Sequence, residues 1–254
     1  MKRIFLSFFI WVGVGVLTFF LWAFSFLSVF IFGLWDRDGR VTHFVARAWS
    51  WAMVKMNPFW NLKVEGLENL EKDHHYVFVS NHQSMADIVI LPFIQVPYKC
   101  FSKASLFNIP CLGWSLSLHQ HIKLFRESLR GIARAMQEAK QWIKKRMSVV
   151  FFVEGTRSRT GSLGSFKGGA FKLAIQTKTP IIPLVMVGTR DAIPRGSWLF
   201  KQRVEGKLVI LPAIETASYS LRDSEEIKKR VFDVINKELL SENLQPATKQ
   251  IHAA

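Results

Sequence analysis

Tyr76-Val77-Phe78-Val79-Ser80-Asn81-His82-Gln83-Ser84-Met85-Ala86-Asp87 passes from one kind of local structure to another within a dozen residues. The β-branched and aromatic residues from Tyr76 to Ser80 predict a strand, Asn81 supplies turn chemistry, and the apolar run from Met85 to Phe93 predicts a helix. Strand followed directly by helix is the repeating unit of α/β domains. His82 then stands at the corner, at the carboxyl end of a strand, where such folds hold functional groups.

His82 and Asp87 are five residues apart, which on one continuous helix would set them about 140° apart. Contact between them therefore requires His82 to sit in the turn ahead of the helix. Two readings of the pair stay open at this point. In one, Ser84 is an N-cap and Asp87 its N3 partner, serving only the helix terminus. In the other, Asp87 bonds one imidazole nitrogen, fixes the tautomer and stabilises the imidazolium, so that His82 acts as a general base.

Downstream of this corner, strands are predicted at Tyr98–Phe101, His121–Phe125, Ser148–Val153, Ile181–Val187 and Leu208–Leu211. Helices are predicted at Glu127–Lys145, Gly169–Lys178 and Asp223–Leu240. The alternation implies an α/β fold with a mixed, largely parallel sheet flanked by helices. A second polar cluster follows the apolar strand Val149 to Val153: Glu154-Gly155-Thr156-Arg157-Ser158. A guanidinium binds phosphate as a fork, glycine lets backbone approach closely, and a hydroxyl donates a hydrogen bond. A plain surface turn is the competing reading. Phe166-Lys167-Gly168-Gly169 adds a cation and a glycine pair where a helix begins.

Upstream, the chain from Ile4 to Trp35 contains no charged residue. As a helix it would extend about 48 Å, longer than the roughly 30 Å hydrocarbon core of a bilayer. It reads as a membrane segment, either one tilted span with an interfacial extension or two shorter helices bent near Gly13 and Gly15 into a one-leaflet hairpin. A cleaved signal peptide fits poorly, because the apolar run is too long and ends without small residues. Trp11, Trp22, Trp35, Trp49, Trp51 and Trp60 crowd the first quarter of the chain, as interfacial anchors do. Arg40 to Asn57 then carries apolar residues at helical spacing.

The 254 residues carry a net charge of +15, and the apolar leader holds almost none of it. The excess therefore lies on the body and suits anionic lipid or phosphorylated substrates. No groove-reading motif accompanies it, so nucleic acid is not an expected partner. The two cysteines lack metal-ligand spacing and fit reduced thiols in a cytosol-facing domain. His74, His75, His119 and His121 lack partners at ligand spacing, so they are expected to be packed or solvent-facing, and no metal site is expected. The organisation that follows is a membrane-anchoring helical segment over 1–60, one catalytic domain over 61–240 and a polar tail over 241–254.

The order of these blocks resembles the glycerolipid acyltransferase family that includes the 1-acylglycerol-3-phosphate O-acyltransferases. Asn81, His82, Gln83, Ser84 and Asp87 match its first block, and Phe152, Glu154, Gly155, Thr156, Arg157 and Ser158 match its third. Ile182, Pro183 and Gly188 match its fourth, and Arg126 matches the arginine of its second. That second block departs from the pattern at Gln120, where the family often has glycine, and at Phe125, where it often has an acidic residue. The resemblance implies that His82 deprotonates the free hydroxyl of a lysophospholipid, which then attacks the thioester of acyl-CoA or acyl-carrier protein. It implies that Asp87 orients His82, and that Arg126, Glu154, Gly155, Thr156 and Arg157 hold the glycerol phosphate, with Lys103 and Lys167 as further contributors. Backbone amides near the start of the helix after His82 become candidate oxyanion donors, and Ser84 is assigned to capping. No cofactor is implied beyond the acyl donor, and a lysophospholipid with another headgroup remains the alternative acceptor.

Overall fold

The computed structural model describes residues 2–32, 36, 40–158, 162–193, 197–200 and 204–244. Residues 33–35, at the end of the apolar run, and the tail beyond residue 244 lie outside the described residues. Two helices lead the chain, α1 (Lys2–Phe32) and α2 (Arg40–Met56). Seven strands follow: β1 (Trp60–Glu65), β2 (Val77–Ser80), β3 (Tyr98–Lys103), β4 (Ile122–Leu124), β5 (Ser148–Phe152), β6 (Ile181–Val187) and β7 (Val204–Ile210). The helices among and after them are α3 (Ala86–Ile90), α4 (Leu112–Leu118), α5 (Leu129–Lys144), α6 (Gly169–Thr177) and α7 (Ser224–Leu244).

The strands form one sheet in the order β1-β7-β6-β2-β5-β3-β4. Every neighbouring pair is parallel except β6 and β7. Because β7 reverses and β1 runs with it, the amino ends of β1 and β7 lie at the same edge as the carboxyl ends of the other five strands. β2 and β6 are buried along nearly their whole length, as central strands covered on both faces must be. On one face α5, α6 and α7 bury Ala135, Ala139, Phe171, Ile227 and Val231 against Val77, Val149 and Ile181. On the other, Ile90 of α3 and the 3₁₀ turn Leu91–Ile94 cover Phe78, Val150 and Leu184.

Several expectations need correction. β1 was not predicted, although Trp60, Leu62 and Val64 alternate with Asn61, Lys63 and Glu65 in the period of an edge strand. α4 was also missed, being too short to show a helical period. The final helix runs to Leu244, so the first four residues assigned to the polar tail are helical. The bend proposed near Gly13 and Gly15 is absent, since α1 is continuous through both. Gly13 instead makes room for α2: a Cβ there would stand 2.5 Å from Met56 Sδ.

α1 is inverted relative to a helix of a water-soluble core. Its buried residues include Ser7, Thr18, Ser25 and Ser28, whereas Phe5, Phe9, Phe20, Phe24 and Phe30 are exposed, the last by 81%. The hydroxyl face is attached to the body along its length. Arg3 Nε donates to Phe200 O at 2.9 Å, Phe200 N donates to Ser7 Oγ at 3.1 Å, and Trp11 Nε1 donates to Trp198 O at 2.6 Å. Further along, Trp22 meets Trp114 at 5.1 Å between ring centroids, and Ser25 Oγ lies 2.9 Å from His119 Nε2. Ile10 of α1 and Met53 of α2 share a buried cluster with Ala86 and Val89 of α3. α3 is thus held between the sheet and the two leading helices.

Candidate functional site

The carboxyl ends of β2, β3, β4, β5 and β6 bring His82, Lys103, Arg126, Glu154–Arg157 and Thr189 to one edge of the sheet. β2 lies between β5 and β6, so His82 is flanked by the loop after each. Asn81 ties the β2 end to β6: its Nδ2 donates to Met186 O at 2.9 Å, and Met186 N donates to its Oδ1 at 2.7 Å. Val153 N donates to Ser80 O at 3.1 Å, and Ser158 N donates to His82 O at 2.8 Å, lacing the β5 loop to the same corner.

His82 Nδ1 lies 2.8 Å from Asp87 Oδ2. That oxygen also accepts the N–H of Gln83 at 2.6 Å and of Ser84 at 2.9 Å. The other carboxylate oxygen accepts the hydroxyl of Thr189. Asp87 is fully buried, and its four hydrogen bonds match the acceptor capacity of a carboxylate. With two amide hydrogens already aimed at Oδ2, the hydrogen between it and the imidazole belongs to Nδ1, an assignment made from the bonding network. Nε2 is left with its lone pair. The imidazole stacks on Phe152 with centroids 4.0 Å apart, which fixes the ring plane, and 13% of the side chain faces solvent. The arrangement is an imidazole orientated by Asp87 at one nitrogen and by Phe152 at its face.

The two open readings of Asp87 therefore converge, since one carboxylate serves both the turn and the imidazole. The capping expectation is corrected in detail: α3 begins at Ala86, its N-cap position is Met85, and Ser84 Oγ accepts only the N–H of Ala86 at 3.3 Å. The oxyanion expectation is narrowed to Met85, whose N–H has no acceptor among the described residues. The N–H groups of Gln83, Ser84, Ala86, Asp87 and Ile88 are all engaged by nearby acceptors, so none of these five is aimed at a ligand.

Glu154 accepts the N–H of His82 at 3.1 Å with one oxygen and that of Gly164 at 2.9 Å with the other. Each oxygen takes one backbone N–H, so Glu154 braces the loop against the His82 corner and keeps acceptor capacity on both oxygens. Gly155 takes φ 73°, a left-handed conformation that a side chain disfavours, and a Cβ there would stand 2.8 Å from Lys167 Cε. Lys167 thus lies along the loop. Arg126 donates from Nη1 to Gly155 O at 2.7 Å and is otherwise exposed. Arg157 is half-buried and Thr156 exposed beside them, while Lys103 stands exposed at the end of β3. Arg126 and Lys167 are brought together at Gly155; no contact joins Lys103 to them among the described residues. Gln120, the departure in the second block, takes φ 54°, which explains the use of glycine at that place.

Sequence reasoning missed Thr189. Nothing local marks it, because its partner Asp87 is 102 residues away. The other histidines divide: His74 is exposed beside Glu71 at 2.9 Å, while His119 is buried and His121 half-buried. The latter lie at the amino ends of β3 and β4, the edge opposite His82. There Lys99 Nζ donates to His119 O at 2.7 Å and sits 4.8 Å over Trp142. His43, Tyr98, Lys99, His119 and His121 surround a cavity of about 20 Å³. Burial, then the nearby Lys99 and His43, pushes the His119 imidazole down from 6.5 to about 4. Burial likewise pulls Lys99 from 10.5 to about 8. A histidine held neutral by the fold contributes stability that is complete above its unfolded value of 6.5 and is lost as pH falls toward 4. Acidification from pH 7 to pH 5 is expected to cost about 2 kcal/mol through His119 alone. Urea midpoints at the two pH values in wild type and His119→Gln check this: the variant should lose less on acidification, and an equal loss would refute the assignment.

Among the described residues, no group of three or more histidine, cysteine, aspartate or glutamate side chains is arranged to hold a metal ion. The chain matches the model of the Acyltransferase family over residues 61–187. It is 41% identical over 166 residues to a chloroplastic 1-acyl-sn-glycerol-3-phosphate acyltransferase of Brassica napus, covering 65% of this chain and 48% of the relative. An Arabidopsis thaliana chloroplastic protein of the same description is 41% identical over 156 residues, covering 61% and 43%. The chain thus spans about half the length of these curated relatives. The crystal structure of the 1-acyl-sn-glycerophosphate acyltransferase PlsC from Thermotoga maritima superposes with a TM-score of 0.83 at 25% identity, covering 97% of this chain and 98% of that one.

Proposed function

The chain belongs to the acyltransferase family, and from that premise we propose that it moves a fatty acyl group from an acyl thioester to the free sn-2 hydroxyl of 1-acylglycerol-3-phosphate, giving phosphatidic acid. The observation that carries this reading is the buried Asp87 bonded to His82 Nδ1 at 2.8 Å, beside a loop whose Gly155 carbonyl is held by Arg126. His82 Nε2 takes the hydroxyl proton as the oxygen attacks the thioester carbonyl. Asp87 stabilises the imidazolium that forms. Collapse of the tetrahedral intermediate breaks the carbon–sulfur bond, and His82 returns the proton to the departing thiolate. Arg126 and Arg157 hold the acceptor phosphate, with Lys167 and Lys103 adding positive potential and Thr156 a hydroxyl. Glu154 keeps the loop in register with His82. The relatives' names support the acceptor and donor classes; the donor is acyl-CoA or acyl-carrier protein, with no further cofactor.

The inverted α1 supports a membrane attachment, and we assign the catalytic body to the cytosolic side. From Arg3 to Ser25 the helix extends about 33 Å, comparable with the hydrocarbon core of about 30 Å. Because it is attached to the body over that whole length, it cannot cross a bilayer without dragging the body in. It lies instead in one leaflet as an interfacial anchor, with the His82 edge at headgroup depth.

The test is turnover by the purified chain in lipid vesicles, with labelled acyl-CoA or acyl-carrier protein and a panel of lysophospholipids. Phosphatidic acid formation from 1-acylglycerol-3-phosphate is the expected result. Preference for a choline, ethanolamine or glycerol headgroup would select the alternative acceptor, and no thioester consumption with any acceptor would overturn the enzyme reading.

A further inference from the structure

Asp87 is usually weighed for what it does to His82, yet one of its two oxygens faces away from the imidazole. That oxygen is fully buried and accepts the hydroxyl of Thr189, itself fully buried. Thr189 opens the turn after β6, where Gly188 takes φ 69° and a Cβ would stand 2.0 Å from Glu205 O. Its methyl is backed by β7, since a Cβ on Gly206 would come within 3.2 Å of Thr189 Cγ2. The glycine turn brings the threonine under Asp87, and β7 limits how its side chain can rotate. Asn81 locks the same β6 end to the His82 corner through both bonds to Met186.

We infer that Thr189 is a positioning residue for the proton-transfer pair, acting through Asp87. The inference rests on the acyltransferase reading of His82. Oδ2 already takes three donors, so removing the Thr189 hydroxyl leaves Oδ1 buried without one. A carboxylate so exposed to the apolar interior turns toward another donor, and among the side chains that bond Asp87 in the described residues the one left to move is the imidazole. The ring then leaves the orientation in which Nε2 meets the acceptor. The charged and titratable groups around the pair are His82 on the β2 corner and Glu154 on the β5 loop, with Arg126 and Lys167 beyond Gly155. Apart from His82, none of these is bonded to Asp87: Glu154 is an acceptor, and Arg126 and Lys167 lie at Gly155.

Thr189→Val keeps the shape and removes the hydroxyl. It is expected to lower kcat on the order of 10- to 100-fold with KM unchanged, and to shift or broaden the downfield proton resonance of the His82 imidazole. Thr189→Ser is expected to retain most of the activity and the resonance. If Thr189→Val fails to fold, Thr189→Ala and Thr189→Ser, which both lose the methyl, decide the matter: Ser should exceed Ala in kcat by the same order. Wild-type kcat and an unmoved resonance in Val, or equal kcat in Ala and Ser, would overturn the inference. An acceptor and donor panel with no turnover by wild type would instead remove the acyltransferase reading, while the resonance would still report on Thr189.

Discussion

His82→Ala is expected to lower kcat on the order of 10³- to 10⁴-fold, the scale of losing a positioned general base and its charge partner. The fold should survive. The imidazole contributes one of four hydrogen bonds to Asp87 and one stacking contact with Phe152, so the stability cost is about 1–2 kcal/mol. Initial rates with labelled acyl-CoA and 1-acylglycerol-3-phosphate, alongside circular dichroism and urea midpoints, separate the two effects. A folded variant that retains wild-type turnover sinks the assignment of His82 as base. KM for the acceptor should change little, because the cations proposed to hold the phosphate, Arg126 after β4 and Arg157 in the loop after β5, are separate from the imidazole.

The second large effect concerns attachment. Phe5, Phe9, Phe20 and Phe24 are each more than half exposed on α1, and a buried phenylalanine side chain contributes about 1.5–3 kcal/mol on leaving water. Replacing all four with asparagine is expected to weaken vesicle binding on the order of 10⁴-fold or more. Flotation with lipid vesicles reads the loss directly. Turnover of detergent-dispersed substrate should persist, since none of the four touches His82 or its partners. Unchanged flotation would dispose of α1 as the anchor.

The His82 corner was legible because its signals are local: β-branched residues from Tyr76, turn chemistry at Asn81 and apolar residues from Met85 fall within one short stretch. β6 was read with its boundaries correct, because an unbroken apolar run announces a strand covered on both faces. β1 and the reversal of β7 were less legible, as edge pairing and strand direction depend on what the rest of the sheet leaves open. The loop-bracing role of Glu154 is not legible in the sequence, where a carboxylate in a polar loop suggests only a contact with substrate. Its two backbone partners, one of them 72 residues away, are a property of the folded loop alone. Thr189 and the buried His119 belong to the same class, residues whose roles arise from long-range neighbours.

The hydroxyl side of α1 has a consequence for how much this helix can vary. Its outward phenylalanines need only be apolar, so leucine, isoleucine or methionine would serve there equally. Ser7, Ser25 and their partners at Phe200 and His119 are different: in the proposed attachment they set the depth and tilt at which the body rides. On that proposal, an unrelated apolar helix grafted in place of residues 2–32 would tether the protein to a bilayer yet leave its reacting edge at an arbitrary height, because the specification of the anchor is written on the side turned to the body.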